Sequence, residues 1–294
     1  MFARVAAAAL LLGSCAAAPA PEAPSAPPAA RWAEACEDWA DWDKPGPPFL
    51  IHGQTYYVGT CGIAAILIVG PEGHTLIDGG TEAGADLIAA NIRALGFDPA
   101  DVDTLLTSHE HHDHVGGIAR LQQLTGAALV TSAAAAPVLR GGPADPADPQ
   151  AGLHEPLAPA RVDHVLEMRG GEARILGAGE FRAIATPGHT PGALTWQWQS
   201  CDGGEPCRTI VYADSLSPIS RDGYRFSDHP DYLRTYRAGI TRVAALECDI
   251  LLTPHPSASG LREWLLAGDP TQGMNCRDIA ARLEARLAEE ASGG

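Results

Sequence analysis

The chain has 294 residues, of which 46% are hydrophobic, and a formal net charge of −16. This length suits one large domain or two small ones, and no internal stretch is apolar for long enough to span a membrane. The acidic balance argues against a nucleic-acid partner, because phosphates require clustered Lys and Arg and Lys44 is the only lysine.

The N-terminal residues have the pattern of an export signal. Arg4 precedes an apolar run over residues 5–12, and small residues follow. We expect residues 1–15 to be a signal peptide, residues 16–31 an extended Ala/Pro-rich linker, and residues 32–294 the folded domain. An ordinary N-terminus is the alternative. Export predicts a periplasmic protein in an oxidising compartment.

Cys15 ends the run LGSC. This run resembles a bacterial lipobox, in which the cysteine is lipidated and becomes the new N-terminus. Lipidated Cys15 would attach the protein to the outer membrane, with the Ala/Pro-rich linker as a tether. Cleavage within the following alanines is the alternative, and it would release a soluble periplasmic protein.

The other six cysteines are disulfide candidates, since the predicted compartment is oxidising. Cys201 and Cys207 flank the turn-rich stretch DGGEP, and we expect them to pair with each other. Six cysteines permit many connectivities, so these residues alone leave the rest open. Free thiols are the alternative, and a cysteine-ligated zinc is not expected because no C-x-x-C spacing occurs.

Apolar periodicity predicts alternating strands and helices after residue 54. The stretch GPEG is a turn between two strands, and Gly96 and Gly126 end two helices. In chain order we predict strands over 55–69 and 74–78, a helix over 83–97, a strand over 102–108, a helix over 117–126 and a strand over 127–132.

The second half of the chain repeats this order. Residues 137–163 are rich in Pro, Ala and Asp and predict a long surface loop. We then predict strands over 172–190, 192–199 and 208–217, a helix over 232–246, a strand over 249–256 and a helix over 277–290. Strands followed by helices, twice over, favour an α/β fold with two sheets face to face and helices outside.

Residues 109–114 read HEHHDH and lie between a buried strand and a helix, where α/β proteins place their active sites. His109, His111 and Asp113 are each two residues apart, so in an extended segment they point the same way. Asp113 and His114 are adjacent, and a tight turn could direct both at a second cation. Imidazole and carboxylate together suit zinc.

Two further histidines follow short apolar strands and could complete two metal sites. His189 lies in ATPGHTPG and His255 in LLTPHP. A chance cluster or a surface tract is the alternative. Glu110 and His112 are offset from the ligand face, so we do not expect them to be ligands. The same holds for the histidines without a strand-end context, which are His52, His74, His154, His164 and His229.

The stretch HEHHDH matches the H-x-H-x-D-H signature of the metallo-β-lactamase superfamily, and PGHTPG matches its next metal histidine. The segments TYYVGTCGIAAILI, HTLIDGG, YADSLS and CDILLTPHP are similar to subclass B3 metallo-β-lactamases. The absence of cysteine from YADSLSP argues against the other subclasses. The resemblance implies an αβ/βα four-layer sandwich and two zinc ions, one on His109, His111 and His189 and one on Asp113, His114 and His255.

The resemblance also implies the activity, which is hydrolysis of the β-lactam amide bond by a metal-bound hydroxide. Asp113 would hold the second zinc and orient the hydroxide, and no acyl-enzyme is expected. Because no lysine lies near a metal motif, Ser215 and Ser217 are the predicted partners of the substrate carboxylate, with Arg221 as an auxiliary. We expect a monomer that acts on a small-molecule β-lactam.

Two rival functions stay open on the same fold. A thioester or lactone hydrolase is one, since hydroxyacylglutathione hydrolases use a bridging aspartate and Asp214 is close to the motif. A non-catalytic periplasmic zinc-binding protein is the other, but no ligand is missing. Subclass B3 also implies a bridge between Cys248 and Cys276, which leaves Cys36 and Cys61 as the third pair.

Overall fold

The structure, a computed structural model, describes residues 29–204, 206–268 and 273–292. The predicted signal peptide, Cys15 and residues 16–28 of the predicted linker lie outside these residues. The first helix, α1 (Ala29–Ala35), begins inside the predicted linker and buries Trp32, so packing starts slightly earlier than expected. No helix in the described residues has the length and hydropathy that a membrane crossing requires.

The first sheet contains seven strands, arranged in chain order across the sheet. Strands β1 to β4 form an antiparallel meander, and β4 to β7 run parallel. All four residues of β4 are buried, as expected of a strand covered on both faces. The strands are β1 (Phe49–His52), β2 (Thr55–Tyr57), β3 (Ile66–Val69), β4 (His74–Ile77), β5 (Val102–Leu106), β6 (Ala128–Thr131) and β7 (Val162–Val165).

The second sheet contains five strands in the order β12-β11-β10-β9-β8. Its strands are β8 (Glu172–Leu176), β9 (Glu180–Ala185), β10 (Leu194–Ser200), β11 (Arg208–Tyr212) and β12 (Ile250–Leu252). Strands β9 and β11 are both antiparallel to β10, and β12 is parallel to β11. The carboxyl ends of β9, β11 and β12 therefore lie at one edge of this sheet.

The two sheets pack face to face, with Ile77, Leu106, Trp196 and Ile210 in the apolar core between them. Helices α2 and α4 cover the outer face of the first sheet, and α6 and α8 cover that of the second. This arrangement confirms the predicted αβ/βα four-layer sandwich. The helices after α1 are α2 (Gly84–Ala94), α3 (His112–Val115), α4 (Ile118–Thr125), α5 (Ala135–Leu139), α6 (Pro230–Ala244), α7 (Leu261–Ala267) and α8 (Cys276–Ser292).

Three of the predicted segments differ from the structure, and one of them is the strand region over residues 172–190, which forms the antiparallel pair β8 and β9. The strand predicted over residues 55–69 is β2 and β3 with a loop between them, because residues 58–65 turn back on themselves around a hydrogen bond from Thr60 N to Ile63 O. The loop predicted over residues 137–163 is shorter, since α5 overlaps its start and β7 its end. Strand β7 reads VDHV and is mostly exposed at the sheet edge, so it lacks an apolar pattern.

Three disulfide bonds join the six cysteines of the described residues. Their pairs are those predicted: Cys36–Cys61, Cys201–Cys207 and Cys248–Cys276. The last pair attaches the first residue of α8 to the chain just before β12, which leads to His255. The bridge therefore fixes the terminal helix beside one of the strands that carry predicted ligands.

Candidate metal centre

The histidine cluster follows β5 at the carboxyl edge of the parallel strands. Asp78, just after β4, positions the start of this segment: its Oδ1 accepts a hydrogen bond from Ser108 N (2.6 Å), and its Oδ2 accepts from Ser108 Oγ (2.7 Å) and Tyr212 OH (2.8 Å). Asp78 has φ of 65°, a region that few residues other than Gly, Asn and Asp adopt. Burial raises the pKa of its carboxyl to about 7.

A short helix turns the rest of the cluster inward. His111 has extended backbone and precedes α3, whose first turn contains Asp113 and His114, both buried. The predicted tight turn is therefore a helical turn. His112 faces the other way, with its ring centroid 4.0 Å from that of His154 and 5.2 Å from that of Trp42. That His112 is not a ligand stays a prediction.

The second sheet brings its own residues to the same place. His189 follows β9 and His255 follows β12, so both lie at the edge where the carboxyl ends of these strands meet. The ring centroid of His189 is 4.8 Å from those of His109 and His111. The ring centroid of His255 is 4.9 Å from that of His114. The structure thus gathers all six predicted ligands between the two sheets.

Hydrogen-bond partners fix which ring nitrogen of His109 and His189 carries the proton. His109 Nδ1 is 3.1 Å from Ser108 Oγ, whose own proton is donated to Asp78, so the hydroxyl oxygen accepts from Nδ1. His189 Nδ1 donates to the carbonyl oxygen of Ser217 at 2.7 Å. Both Nε2 atoms therefore carry lone pairs, and the buried His109 Nε2 has no hydrogen-bond partner.

His111 is oriented in the opposite sense. Its Nε2 lies 3.1 Å from Asp148 Oδ2, and a carboxylate only accepts, so Nε2 carries the proton. Its Nδ1 lone pair then faces the Nε2 lone pair of His189 at 3.2 Å. When His111 is neutral these two lone pairs repel unless a cation lies between them, whereas a protonated His111 would donate from Nδ1 to His189 Nε2. The ligand atoms of His109, His111 and His189 lie within 4.8 Å of one another, so this group fits a metal ion.

A second group lies beside the first. The ligand atoms of His109, Asp113 and His114 are also within 4.8 Å of one another. Asp113 Oδ2 is 3.0 Å from His114 Nε2 and 3.4 Å from His255 Nε2, yet neither nitrogen of His114 is aligned for a hydrogen bond. This geometry is expected of ligands that face one ion. Burial acts to raise the pKa of Asp113, but His114 and His255 hold it well below its usual range.

Two carboxylates at the site were not predicted. Asp148 contacts His111, as described above. Glu110 is buried and accepts hydrogen bonds from Thr190 Oγ1 (2.7 Å) and Gly192 N (2.9 Å), so it links the cluster to the loop that carries His189. Burial raises the pKa of Glu110 to about 7. Spacing along the chain gave no signal for either contact, because both partners lie on distant loops.

The remaining predicted residues surround this centre. Asp214 Oδ1 lies 2.9 Å from His109 Nδ1, on the side of the ring away from Nε2, and its Oδ2 accepts from Leu216 N. Ser215 is buried, and its hydroxyl has no hydrogen-bond partner. Arg221 Nη1 donates to the carbonyl oxygens of Asp148 (3.0 Å) and Pro149 (3.2 Å). The substrate contacts of Ser215, Ser217 and Arg221 stay predictions.

A four-layer sandwich with clustered imidazole lone pairs at its sheet edges defines a metal-binding protein. A family model described as the metallo-beta-lactamase superfamily matches residues 58–202, which contain HEHHDH and PGHTPG. The MIM-2 metallo-β-lactamase structure is 52% identical, with a TM-score of 0.83, over 92% of this chain and 99% of that chain. The chain belongs to the metallo-β-lactamase superfamily, as the two motifs predicted.

Further solved structures agree with this assignment. MIM-1 from Novosphingobium pentaromativorans is 48% identical, with a TM-score of 0.81, over 86% of this chain and 92% of that chain. MEM-A1, described as a subclass B3 metallo-β-lactamase from a soil metagenome library, is 39% identical, with a TM-score of 0.80, over 86% and 98% of the two chains. The likeness to subclass B3 therefore extends over most of the chain.

Curated proteins resemble the chain more distantly. The probable metallo-hydrolase YflN of Bacillus subtilis (strain 168) is 25% identical over 240 residues, which are 74% of this chain and 84% of that protein. A hydroxyacylglutathione hydrolase of Pseudomonas putida is 28% identical over 142 residues, 48% of this chain and 42% of that protein. Family and neighbours together identify the protein as a metal-binding hydrolase of this superfamily.

Proposed function

We propose that the protein is a subclass B3 metallo-β-lactamase, which hydrolyses the β-lactam amide bond with two zinc ions and acts as a monomer. One observation carries the metal part: three imidazole lone pairs converge beside a group formed by Asp113, His114 and His255. The substrate class rests on the similarity to solved structures that are named metallo-β-lactamases.

The six predicted ligands would form two zinc sites. His109, His111 and His189 would hold the first zinc, and Asp113, His114 and His255 the second. When bound, the two ions would polarise the amide carbonyl and supply hydroxide, since a metal lowers the pKa of water to about 7. The low pKa of Asp113 keeps its carboxylate charged over the working pH range, so it can bind metal and orient the nucleophile.

The geometry of Asp214 favours this function over thioester hydrolysis. A bridging aspartate would have to direct an oxygen at both metals. Asp214 Oδ1 instead faces His109 Nδ1, and its Oδ2 is occupied by Leu216 N. The carboxylate therefore lies on the side of the His109 ring away from Nε2. A non-catalytic zinc-binding role is also disfavoured, since all six predicted ligands lie together.

Activity and metal content test this proposal together. Purified protein should contain about two zinc ions per chain, hydrolyse nitrocefin, and lose this activity on chelation. A glutathione thioester is the comparison substrate, and it should be hydrolysed far more slowly than nitrocefin. His189→Ala and His255→Ala should each lose metal and rate, whereas His229→Ala should lose neither. A fully active, metal-free preparation would contradict the proposal, as would fast thioester hydrolysis without nitrocefin hydrolysis.

We also propose that the protein is exported to the periplasm and attached to the outer membrane through lipidated Cys15. The supporting observation is the sequence pattern of residues 1–15, which lie outside the described structure. Cys15→Ser should move nitrocefin hydrolysis from the membrane fraction to the soluble periplasmic fraction. Wild-type activity that is already soluble, with a mature N-terminus beyond residue 15, would rule out the anchor.

A further inference from the structure

We propose that Asp148 is a positioning residue for the first metal site and that the segment of residues 140–161, here called the Asp148 loop, is part of the metal centre. The proposal rests on the proposed metal site but not on β-lactams as the substrate. This loop is absent from the sequence motifs, and only the folded structure brings it to His111.

The contacts of Asp148 hold its carboxylate in a defined orientation. Its side chain is buried, with 2% of the residue surface exposed. Its two oxygens have separate partners: Oδ2 is 3.1 Å from His111 Nε2, and Oδ1 accepts from Gln150 N at 2.7 Å. The carboxylate is thus held by its own turn on one side and directed at the histidine on the other.

Arg221 holds the backbone at the same point. Its Nη1 donates to the carbonyl oxygens of Asp148 and Pro149, and its backbone N donates to Pro149 O at 2.9 Å. These three bonds attach the Asp148 loop to the segment that follows Ser215 and Ser217. A cavity of about 180 Å³ lies between His111 and the loop, whose residues Asp148, Gln150 and His154 form part of its wall. The loop is therefore fixed in place by Arg221 and contacts His111 directly through the Asp148 carboxylate.

The chemistry of an acceptor-only partner explains why an aspartate suits this position. Neutral imidazole carries one proton, and the nitrogen that holds it cannot bind metal. With Asp148 Oδ2 at Nε2, the proton stays on Nε2 and Nδ1 is left free beside His189 Nε2. A carboxylate partner also makes the metal-binding nitrogen a stronger base. Among the described residues, Asp148 is the hydrogen-bond partner of His111 Nε2.

Asp148 could hold its own loop through Gln150 N, or it could orient His111. One isosteric substitution separates these two roles. In Asp148→Asn the amide has one acceptor oxygen for two donors. If the oxygen keeps Gln150 N, the NH2 group faces His111 Nε2 and favours the wrong tautomer. A carboxylate that only anchors the loop predicts a silent Asn variant, whereas a positioning role predicts a loss of metal binding. Asp145→Asn is the matched control, because Asp145 Oδ1 accepts only from Ala147 N, which an amide oxygen can replace.

The experiment uses zinc-loaded full-length protein with ¹⁵N-labelled histidine rings. Imidazole ¹H–¹⁵N spectra report which nitrogen of His111 binds metal, and competition with a chromophoric chelator reports zinc affinity. Wild type should show His111 bound through Nδ1, with a slowly exchanging Nε2–H. Asp148→Asn should lose that slow exchange and bind zinc roughly 10–100-fold more weakly. Asp145→Asn should match wild type in both measurements.

Two results would overturn the proposal. One is wild-type protein in which His111 binds zinc through Nε2, a measurement that needs no variant. The other is a folded Asp148→Asn variant with wild-type zinc affinity and an unchanged Nε2–H signal. Protein that binds zinc with the expected signals but hydrolyses no β-lactam would contradict the proposed function and leave the role of Asp148 intact.

Discussion

In each of His109, His111 and His189, the ring nitrogen that faces away from the predicted metal donates a hydrogen bond. The acceptor is of a different kind in each case. His109 donates to a serine hydroxyl, His189 to a backbone carbonyl and His111 to a carboxylate. Such partners select the tautomer and hold the ring plane before any ion arrives. A ligand set prepared in this way loses little conformational entropy when metal binds.

The six side chains that gather at the centre could be predicted from sequence, but the partners that orient them could not. Alternation within HEHHDH and the strand-end positions of His189 and His255 are local patterns. The partners Ser217 and Asp148 lie 28 and 37 residues from the histidines that they contact. Contacts between distant loops depend on how the sheets pack, and no spacing along the chain encodes them.

The buried hydroxyl of Ser215 leads to a prediction about substrate binding. It has no hydrogen-bond partner, and Ser217 lies two residues further along the same segment. A substrate carboxylate could accept from both hydroxyls. The double variant Ser215→Ala, Ser217→Ala should therefore raise KM for nitrocefin more than it lowers kcat. Steady-state kinetics measures this, and an unchanged KM would exclude the role.

The raised pKa of Asp78 predicts a pH-dependent stability. Burial lifts this pKa from 3.8 to about 7, so between these values the folded state binds more protons than the unfolded state. Stability should then fall as pH rises from about 4 to 7 and stay lower above 7, by at most about 4 kcal/mol. Asp78→Asn removes the titration and tolerates the positive φ.

Chemical unfolding of chelated wild type and Asp78→Asn between pH 4.5 and 8.5 tests this. Chelation removes the pH dependence of metal binding. The titration of the histidines is common to the two proteins, so the difference between their profiles isolates residue 78. The stability of wild type should fall relative to the variant as pH rises. Parallel pH profiles would mean that the three donors to Asp78 offset its burial.

At the scale of elements, the position of the site follows from strand directions. The carboxyl ends of β5, β9, β11 and β12 meet at one side of the sandwich, and each leads into a loop with a functional side chain. The sequence predicted these strands because they are short, apolar and bounded by Gly and Pro. It missed β7 and α5 at the borders of the Asp148 loop, where exposed or small residues give no periodic pattern.

Glu110 connects the loop after β5 to the loop after β9, because it accepts hydrogen bonds from Thr190 Oγ1 and Gly192 N. Two substitutions of Glu110 should therefore have different effects. In Glu110→Gln the amide oxygen can accept from Gly192 N, and the amide NH2 can donate to Thr190 Oγ1, which accepts as well as donates. In Glu110→Ala both buried groups lose their partner, at a cost of about 1–3 kcal/mol each. We expect the Gln variant to keep its unfolding temperature and zinc content, and the Ala variant to lose part of both.

Thermal unfolding and metal analysis of the two variants test this link. The contact between Glu110 and the His189 loop also requires glycine at position 192, since a Cβ there would lie 2.6 Å from Glu110 Oε2. Equal losses in both variants would mean that the negative charge of Glu110, rather than its hydrogen bonds, holds the loops together.

At the scale of the whole molecule, the metal centre joins the two sheets. His109, His111, Asp113 and His114 follow a strand of the first sheet, whereas His189 and His255 follow strands of the second. Two hydrogen bonds also join the two sheets directly beside this centre. They run from Leu194 N to Ser108 O and from Trp196 Nε1 to Thr107 O. Metal ions bound here would therefore link halves of the sandwich that are distant in sequence.

This arrangement predicts that chelation destabilises the entire fold. A ligand that binds only the native state stabilises it by about 4 kcal/mol when its free concentration is 1,000 times Kd. For a chain of this size, each kcal/mol shifts Tm by about 2–4 °C. Calorimetry with the disulfides intact should therefore find Tm lower by on the order of 10 °C after chelation, in a single transition. His189→Ala should start with a lower Tm and respond less to the chelator. An unchanged Tm after complete removal of bound zinc would mean that the apolar core and the disulfides hold the two sheets together without the metal.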